Sequence, residues 1–167
     1  MQLVRQAGVE MLLSFFQWCE GSGVGEAIRA STWLFPVIES LHLLGLAVIG
    51  GAILIVDLRL MGFGLRRQPV RQVAEYAQPW LIGSLIVMLA SGSLLFTSEA
   101  IKCYYHDAFW MKMSSLSLAI LFTFTVRRRV TRAPEDCIGP GWSRTVALVS
   151  LALWSGVGIG GRWIGFS

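Results

Sequence analysis

Four apolar runs, each close to the roughly 20 residues a helix needs to cross ~30 Å of hydrocarbon, constrain this chain more than any other feature. They extend over about Trp33 to Leu58, Pro79 to Ser98, Phe109 to Val126 and Thr145 to Gly161. Ser31 and Thr32 offer helix caps before the first run. Between Ser40 and Val56 that run carries no formal charge, and His42 is its one ionisable residue. The second run is uncharged, and its Pro79 falls in the first turn, where a missing N–H is harmless. Lys112 sits near the start of the third. The fourth ends in Gly156, Gly158, Gly160 and Gly161. With about half of 167 residues consumed in this way, no separate soluble catalytic domain of ~100 residues fits. A composition of 54% hydrophobic and 14% charged residues places the chain in the membrane class.

The expected architecture is an all-α, integral membrane four-helix bundle with a short N-terminal interfacial helix. Residues 1–30 form the interfacial segment and residues 31–167 the four-helix transmembrane domain, with spans at about 33–58, 79–98, 109–126 and 145–161. Met11 to Trp18 is apolar, but Glu10 precedes it, Cys19 and Glu20 follow it, and a small-x-small cleavage pattern is missing. A helix lying in the interface therefore explains Leu12, Leu13, Phe15, Phe16 and Trp18 better than a signal peptide does. Gly21, Ser22, Gly23 and Gly25 read as the hinge after it.

Charge sets the orientation. Arg59, Arg66, Arg67, Arg71, Arg127, Arg128, Arg129, Arg132 and Arg144 put nine positive residues on one side, against four on the other: Arg5, Arg29, Lys102 and Arg162. The positive-inside tendency places the arginine-rich loops in the cytoplasm and both termini outside. Trp33, Trp110 and Trp163 then fall near the outer interface, and Trp80 and Trp142 near the inner one. The net charge of +4 is thus topological, and a nucleic-acid partner is not expected. Two histidines and three scattered cysteines, with no CxxC or HxxxH pair, exclude a self-contained zinc site, an iron–sulfur cluster and a disulfide framework.

The ionisable residues that are out of place in hydrocarbon gather in the outer half. Glu39 and His42, at i and i+3, share a helix face, and Lys112 lies a turn inside the third span. Thr97, Ser98 and Glu99 reach the same level, and the outer loop continues through Cys103, Tyr104, Tyr105, His106 and Asp107. Charged groups in a span usually face the bundle interior and find partners, so Glu39 is expected to pair with Lys112. His42 reads either as a neutral imidazole hydrogen-bonded to a neighbouring helix or as an axial ligand to a b-type haem. Gly45, Gly50 and Gly51 on its helix, and Gly83, Ser84, Ser91, Gly92 and Ser93 on the next, would admit a flat ligand, although small residues also serve helix packing. A second axial ligand would come from His106, Lys112, Met88, Met111 or Met113. Copper, through His42 with Met111 or Met113, ranks below haem. At the inner end Asp57 and Arg59 point apart, so Asp57 is expected to pair with an arginine of the next turns or of the other loop, as an anchoring device. The Arg127–Arg132 run reads as stop-transfer charge with anionic-lipid contact.

Trp33-Leu-Phe-Pro36, Glu39-x-x-His42 and Asp57-Leu-Arg59-Leu-Met-Gly62, followed by Phe109-Trp-Met-Lys112, resemble a family of small, functionally uncharacterised bacterial four-helix inner-membrane proteins. More distantly, they are similar to the copper-resistance D-type membrane domain and the J-type protoporphyrinogen oxidase. Those proteins likewise place a histidine on an early helix and a Phe-x-x-Lys at the start of a later one. The resemblance implies b-type haem, with His42 as its axial ligand and Lys112 as a companion polar residue. The oxidase family's further histidines are missing here, so protoporphyrinogen oxidation itself is not carried over.

Three functions follow as expectations. The first is a haem-b electron-transfer or small oxidoreductase component, with His42, Lys112, Glu39 and His106 as cofactor-binding candidates and His42 as the metal ligand. The second is a non-catalytic subunit or assembly factor of a larger complex, embedded in the bilayer with a membrane-protein partner or a second copy. The third is a small transporter or copper-handling protein.

Overall fold

The computed structural model describes residues 2–64, 67–134 and 138–164, and the side chains of 10–64, 67–134 and 138–163. Its elements in chain order are α1 (Gln2–Glu20), α2 (Gly23–Ala30), α3 (Leu34–Leu60), α4 (Val70–Ser98), α5 (Ala100–Tyr105) and α6 (Asp107–Phe122). A π-helical turn, Thr123–Arg127, then leads without a break into α7 (Arg128–Arg132), and α8 (Pro140–Ile164) closes the chain. The architecture is all-α. Four helices, α3, α4, α6 continued through α7, and α8, are long and apolar enough to cross a membrane.

Local sequence sets the helix ends. Ser31 Oγ accepts from the Leu34 N–H at 3.3 Å, satisfying one of the free donors at the start of α3. At the other end Gly62 adopts φ +85°, the left-handed conformation glycine takes without penalty. Gly62 N–H donates to the Arg59 carbonyl and Phe63 N–H to the Leu58 carbonyl, at 3.1 and 2.8 Å, the paired bonds of a Schellman stop. The Asp57-to-Gly62 motif therefore encodes a helix end.

Several boundaries differ from the sequence expectation: the third span runs on to Arg132, past Val126, and α8 starts at Pro140, ahead of Thr145. Pro79 lies inside α4, nine residues after its start at Val70, and not in a first turn. Val73, Ala77 and Leu81 are buried while Arg71, Gln72, Glu75 and Tyr76 are exposed, so this stretch is an amphipathic extension that an apolar-run reading passes over. The missing Pro79 N–H falls on the exposed face. The hinge is also shorter than expected: only Gly21 and Ser22 break the helix, and Gly23 and Gly25 belong to α2. Ser22 Oγ caps α2 by accepting from the Gly25 N–H at 3.2 Å.

The spans pack as two hairpins, α3 with α4 and α6 with α8, joined mainly through α3 and α8. Ile49, Ile53, Val56 and Leu60 on α3, spaced at three and four residues, meet Leu81, Leu85 and Met88 of α4 and Val146, Trp154 and Val157 of α8. Leu44, Val48, Ile86, Leu118, Leu121 and Leu148 lie exposed on the outside, as residues facing acyl chains do. Lipid is as apolar as leucine, so helix association rests on close packing, which small residues permit. A Cβ at Gly45 would stand 3.1 Å from Met88 Cγ, and one at Gly156 would stand 2.9 Å from Ser115 Oγ.

The N-terminal helices fold over the end of the bundle that holds His42. Phe16 and Cys19 of α1 are buried with Ala100 and Cys103 of α5. The Phe16 ring stands edge-on to Phe96 and Tyr104, with centroids 5.1 and 5.2 Å away. Glu20 Oε2 accepts from the Ile101 N–H at 2.6 Å, capping α5. Arg29 donates to the Ser98 carbonyl at 2.9 Å and to the Glu20 carbonyl at 2.7 Å. Gly25 lies directly on the Thr97 carbonyl, where no Cβ fits.

Candidate functional site

His42 lies on α3 eight residues after its start, about 12 Å along the axis, at the seam with α4. It is half-buried. Its Nδ1 is 2.9 Å from the hydroxyl of buried Ser91. That hydroxyl has a single proton, which it donates to the Val87 carbonyl at 2.6 Å. With the proton on the Val87 carbonyl, the Ser91 oxygen accepts from Nδ1–H and Nε2 carries the lone pair of the neutral imidazole; the reverse direction belongs to the other tautomer. Gly92, the next residue of α4, makes room for the ring: a Cβ there would stand 3.2 Å from His42 Cε1.

Lys112 reaches the same level from α6. Its stem lies along α8, where a Cβ at Gly160 would stand 3.1 Å from Lys112 Cβ and one at Gly161 would stand 3.4 Å from Nζ. The ammonium is near enough for its charge to act on His42 and on Cys103. The expected Glu39–Lys112 ion pair does not form: Glu39 is exposed, and among the described residues no carboxylate lies within 4.0 Å of Lys112 Nζ. Glu39 is only five residues into α3, so its carboxylate reaches the polar boundary instead of crossing the bundle.

The remaining candidates spread out. His106 occupies the junction of α5 and α6, its N–H donating to the Cys103 carbonyl at 3.3 Å and its carbonyl accepting from Phe109 N–H at 3.0 Å. Met88 is buried in the core against Gly45, a packing position. Met111 and Met113 are exposed, with the Met111 terminal methyl against Gly160. Gly50, Gly51 and Gly83 have nothing within 4 Å of a built Cβ. The small residues thus divide between helix contacts and the lipid face.

At the arginine-rich end, Asp57 is fully buried and accepts from Arg127 Nε at 2.8 Å. Arg127 Nη2 also donates to the Ile53 carbonyl at 3.3 Å. Asp57 does find its arginine, but within a helix and not in a loop: the third span continues through the π turn to Arg132, and Arg127 is the last residue of that turn. An extra residue per turn shifts the face a helix presents, which brings Arg127 inward while Arg128 and Arg129 stay exposed. Thr123, the first residue of the turn, accepts from Trp154 Nε1 at 3.2 Å. Ser150 stands beside Asp57, yet Asp57 Oδ2 and Ser150 Oγ are both buried without completing a hydrogen bond. Sequence reading passed over Arg127 because it opens a run of arginines; the one signal for it was the uncompensated Asp57.

Comparison with known proteins yields one family: a family of unknown function, DUF6644, matches residues 15–167. No curated protein and no solved structure matches the chain, so no similarity to copper-resistance D proteins or to protoporphyrinogen oxidases is found.

Proposed function

We propose, for a chain that belongs to this family of unknown function over residues 15–167, a haem-b electron-transfer role in a bacterial inner membrane, with His42 as axial ligand and both termini on the periplasmic side. The observation that carries this reading is the chain from His42 Nδ1 through Ser91 to the Val87 carbonyl. A ligating histidine almost always donates its other ring N–H to a neighbouring oxygen, which fixes the tautomer and ring plane. The Ser91 contact suits that arrangement, in which Nε2 is left as the basic nitrogen. Haem would supply reversible one-electron chemistry and its own four equatorial nitrogens, so one protein ligand suffices. Lys112, on the facing hairpin, would place a cation near the bound group.

A bare copper ion needs several protein donors, and Met111 and Met113, the thioethers that would join His42, are both exposed. A non-catalytic subunit or assembly factor is the second reading. It draws on the close fit of Gly92 to the His42 ring, which suits a purely structural hydrogen bond between α3 and α4.

The test is a dithionite-reduced minus oxidised spectrum of detergent-purified protein, expressed with haem supplied, beside His42→Ala and Ser91→Ala. One b-type haem per chain is expected, lost in His42→Ala. In Ser91→Ala, haem affinity should fall by roughly 10–100-fold, the usual effect of removing an outer-shell partner. A featureless spectrum from folded wild-type protein overturns the haem reading in favour of the structural one.

A further inference from the structure

A second site lies at the arginine-rich end, between the first turns of α4 and the π turn with α7. Arg71, Arg128 and Arg132 line the cleft together with one carboxylate, Glu75, and Val56, Leu81 and Phe124 continue it toward the middle of the bundle. Its volume of about 50 Å³ exceeds the ~10–15 Å³ that a single water needs.

Among the described residues the positive charges of the cleft are only partly matched. Arg127 lines the cleft but is neutralised by Asp57. Arg71 is bound by Glu75 at 2.8 Å, both side chains being well exposed, a pairing that solvent keeps weak. Among the described residues neither Arg128 nor Arg132 has a carboxylate within 4.0 Å. The cleft therefore presents excess positive charge with planar donor forks, which suit a phosphate.

Its lining changes with depth. From Arg71 to Leu81 is ten residues of α4, about 15 Å, comparable with half of the ~30 Å hydrocarbon core. Over that distance the lining passes from arginine to Leu81, Val56 and Phe124. A free phosphate would use only the arginines, whereas a phospholipid uses both ends. We propose that this cleft binds an anionic phospholipid, its phosphate on Arg128, Arg132 and Arg71 and an acyl chain along Leu81 and Phe124.

The test titrates detergent-purified full-length protein with dioctanoyl phosphatidylglycerol, dioctanoyl phosphatidylcholine or inorganic phosphate, reading the thermal unfolding midpoint by tryptophan fluorescence. Phosphatidylglycerol alone should raise the midpoint saturably. Its apparent Kd should weaken roughly fivefold in Arg128→Gln and in Arg132→Gln, from the typical strength of one arginine at an anionic surface. Arg129→Gln is the control: Arg129 is exposed, of equal charge, and outside the cleft, so its affinity should match the wild type. Arg128 and Arg132 are also exposed, so these variants keep the fold. An equal midpoint shift with phosphatidylcholine overturns the proposal, as does an Arg129→Gln loss equal to that of Arg132→Gln. An equal response to inorganic phosphate also overturns it, by making the ligand a soluble anion.

Discussion

Asp57 and Arg127 show how much a single pair can demand of a membrane helix. Removing two charges from water is costly, and a buried pair recovers that cost only when both partners are present and well oriented. Arg127→Met should leave Asp57 stranded and destabilise the protein by about 3–5 kcal/mol. Combining it with Asp57→Leu should restore most of the loss, as measured by unfolding in detergent. If the double variant is no more stable than the single one, the pair is not the dominant interaction at this end. Half of this pair was legible in the sequence: an aspartate closing an uncharged run required an arginine. Which arginine was not legible, because the choice among Arg127, Arg128, Arg129 and Arg132 depends on helix phase, and the π turn resets that phase.

At the scale of the helix, the glycines sort by what lies opposite them. Gly156 and Gly160, four residues apart on α8, form a small-xxx-small face against Ser115 and Lys112 of α6. Gly158, between them, has nothing within 4 Å. Gly160→Leu should therefore part α6 from α8, because the nearest atoms include the Lys112 backbone at 3.3 Å, which cannot rotate aside. Gly158→Ala should be neutral or slightly stabilising, since alanine restricts the helix backbone better than glycine. Comparable thermal midpoints for the two variants would contradict this assignment. The sequence showed the glycine cluster, but a cluster read in one dimension cannot separate a contact face from a lipid face.

Across the whole molecule, α1 and α2 close the His42 end through a few bonds with long sequence reach: Arg29 to Ser98, Glu20 to Ile101, and Phe16 among Phe96, Tyr104 and Phe109. Cys103 reports on this closure. Burial, and next the neighbouring Glu99 carboxylate, push its thiol up to about 11. Only the thiolate reacts with maleimides, so at pH 8 labelling should be slow, with about 0.1% of the thiol ionised. Arg29→Ala should loosen the cap and speed Cys103 labelling at the same pH in a background with Cys19→Ser and Cys137→Ser, which leaves Cys103 as the single thiol. An unchanged rate would mean that α5 alone shields the thiol. The sign of the pH effect on stability follows as well. An unfolded chain gives up this proton near 9 and the folded chain near 11, so this contribution to stability is complete below pH 9 and is lost between about pH 9 and 11.

The sequence by itself determined the membrane class, the number of helices able to span a bilayer, and the placement of His42 and Lys112 in one half of the bundle. Hydrophobicity and helix rise are local properties, and backbone polar groups in lipid leave little choice but a helix. Only the tertiary structure decided that Ser91 holds His42, that Glu39 faces outward from Lys112, that Arg127 is the partner of Asp57, and that α1 and α2 form a docked cap. Each of these depends on how one helix is rotated against another. That rotation is set by side-chain packing between residues 49 to 81 positions apart in the chain, and hydropathy carries no record of it.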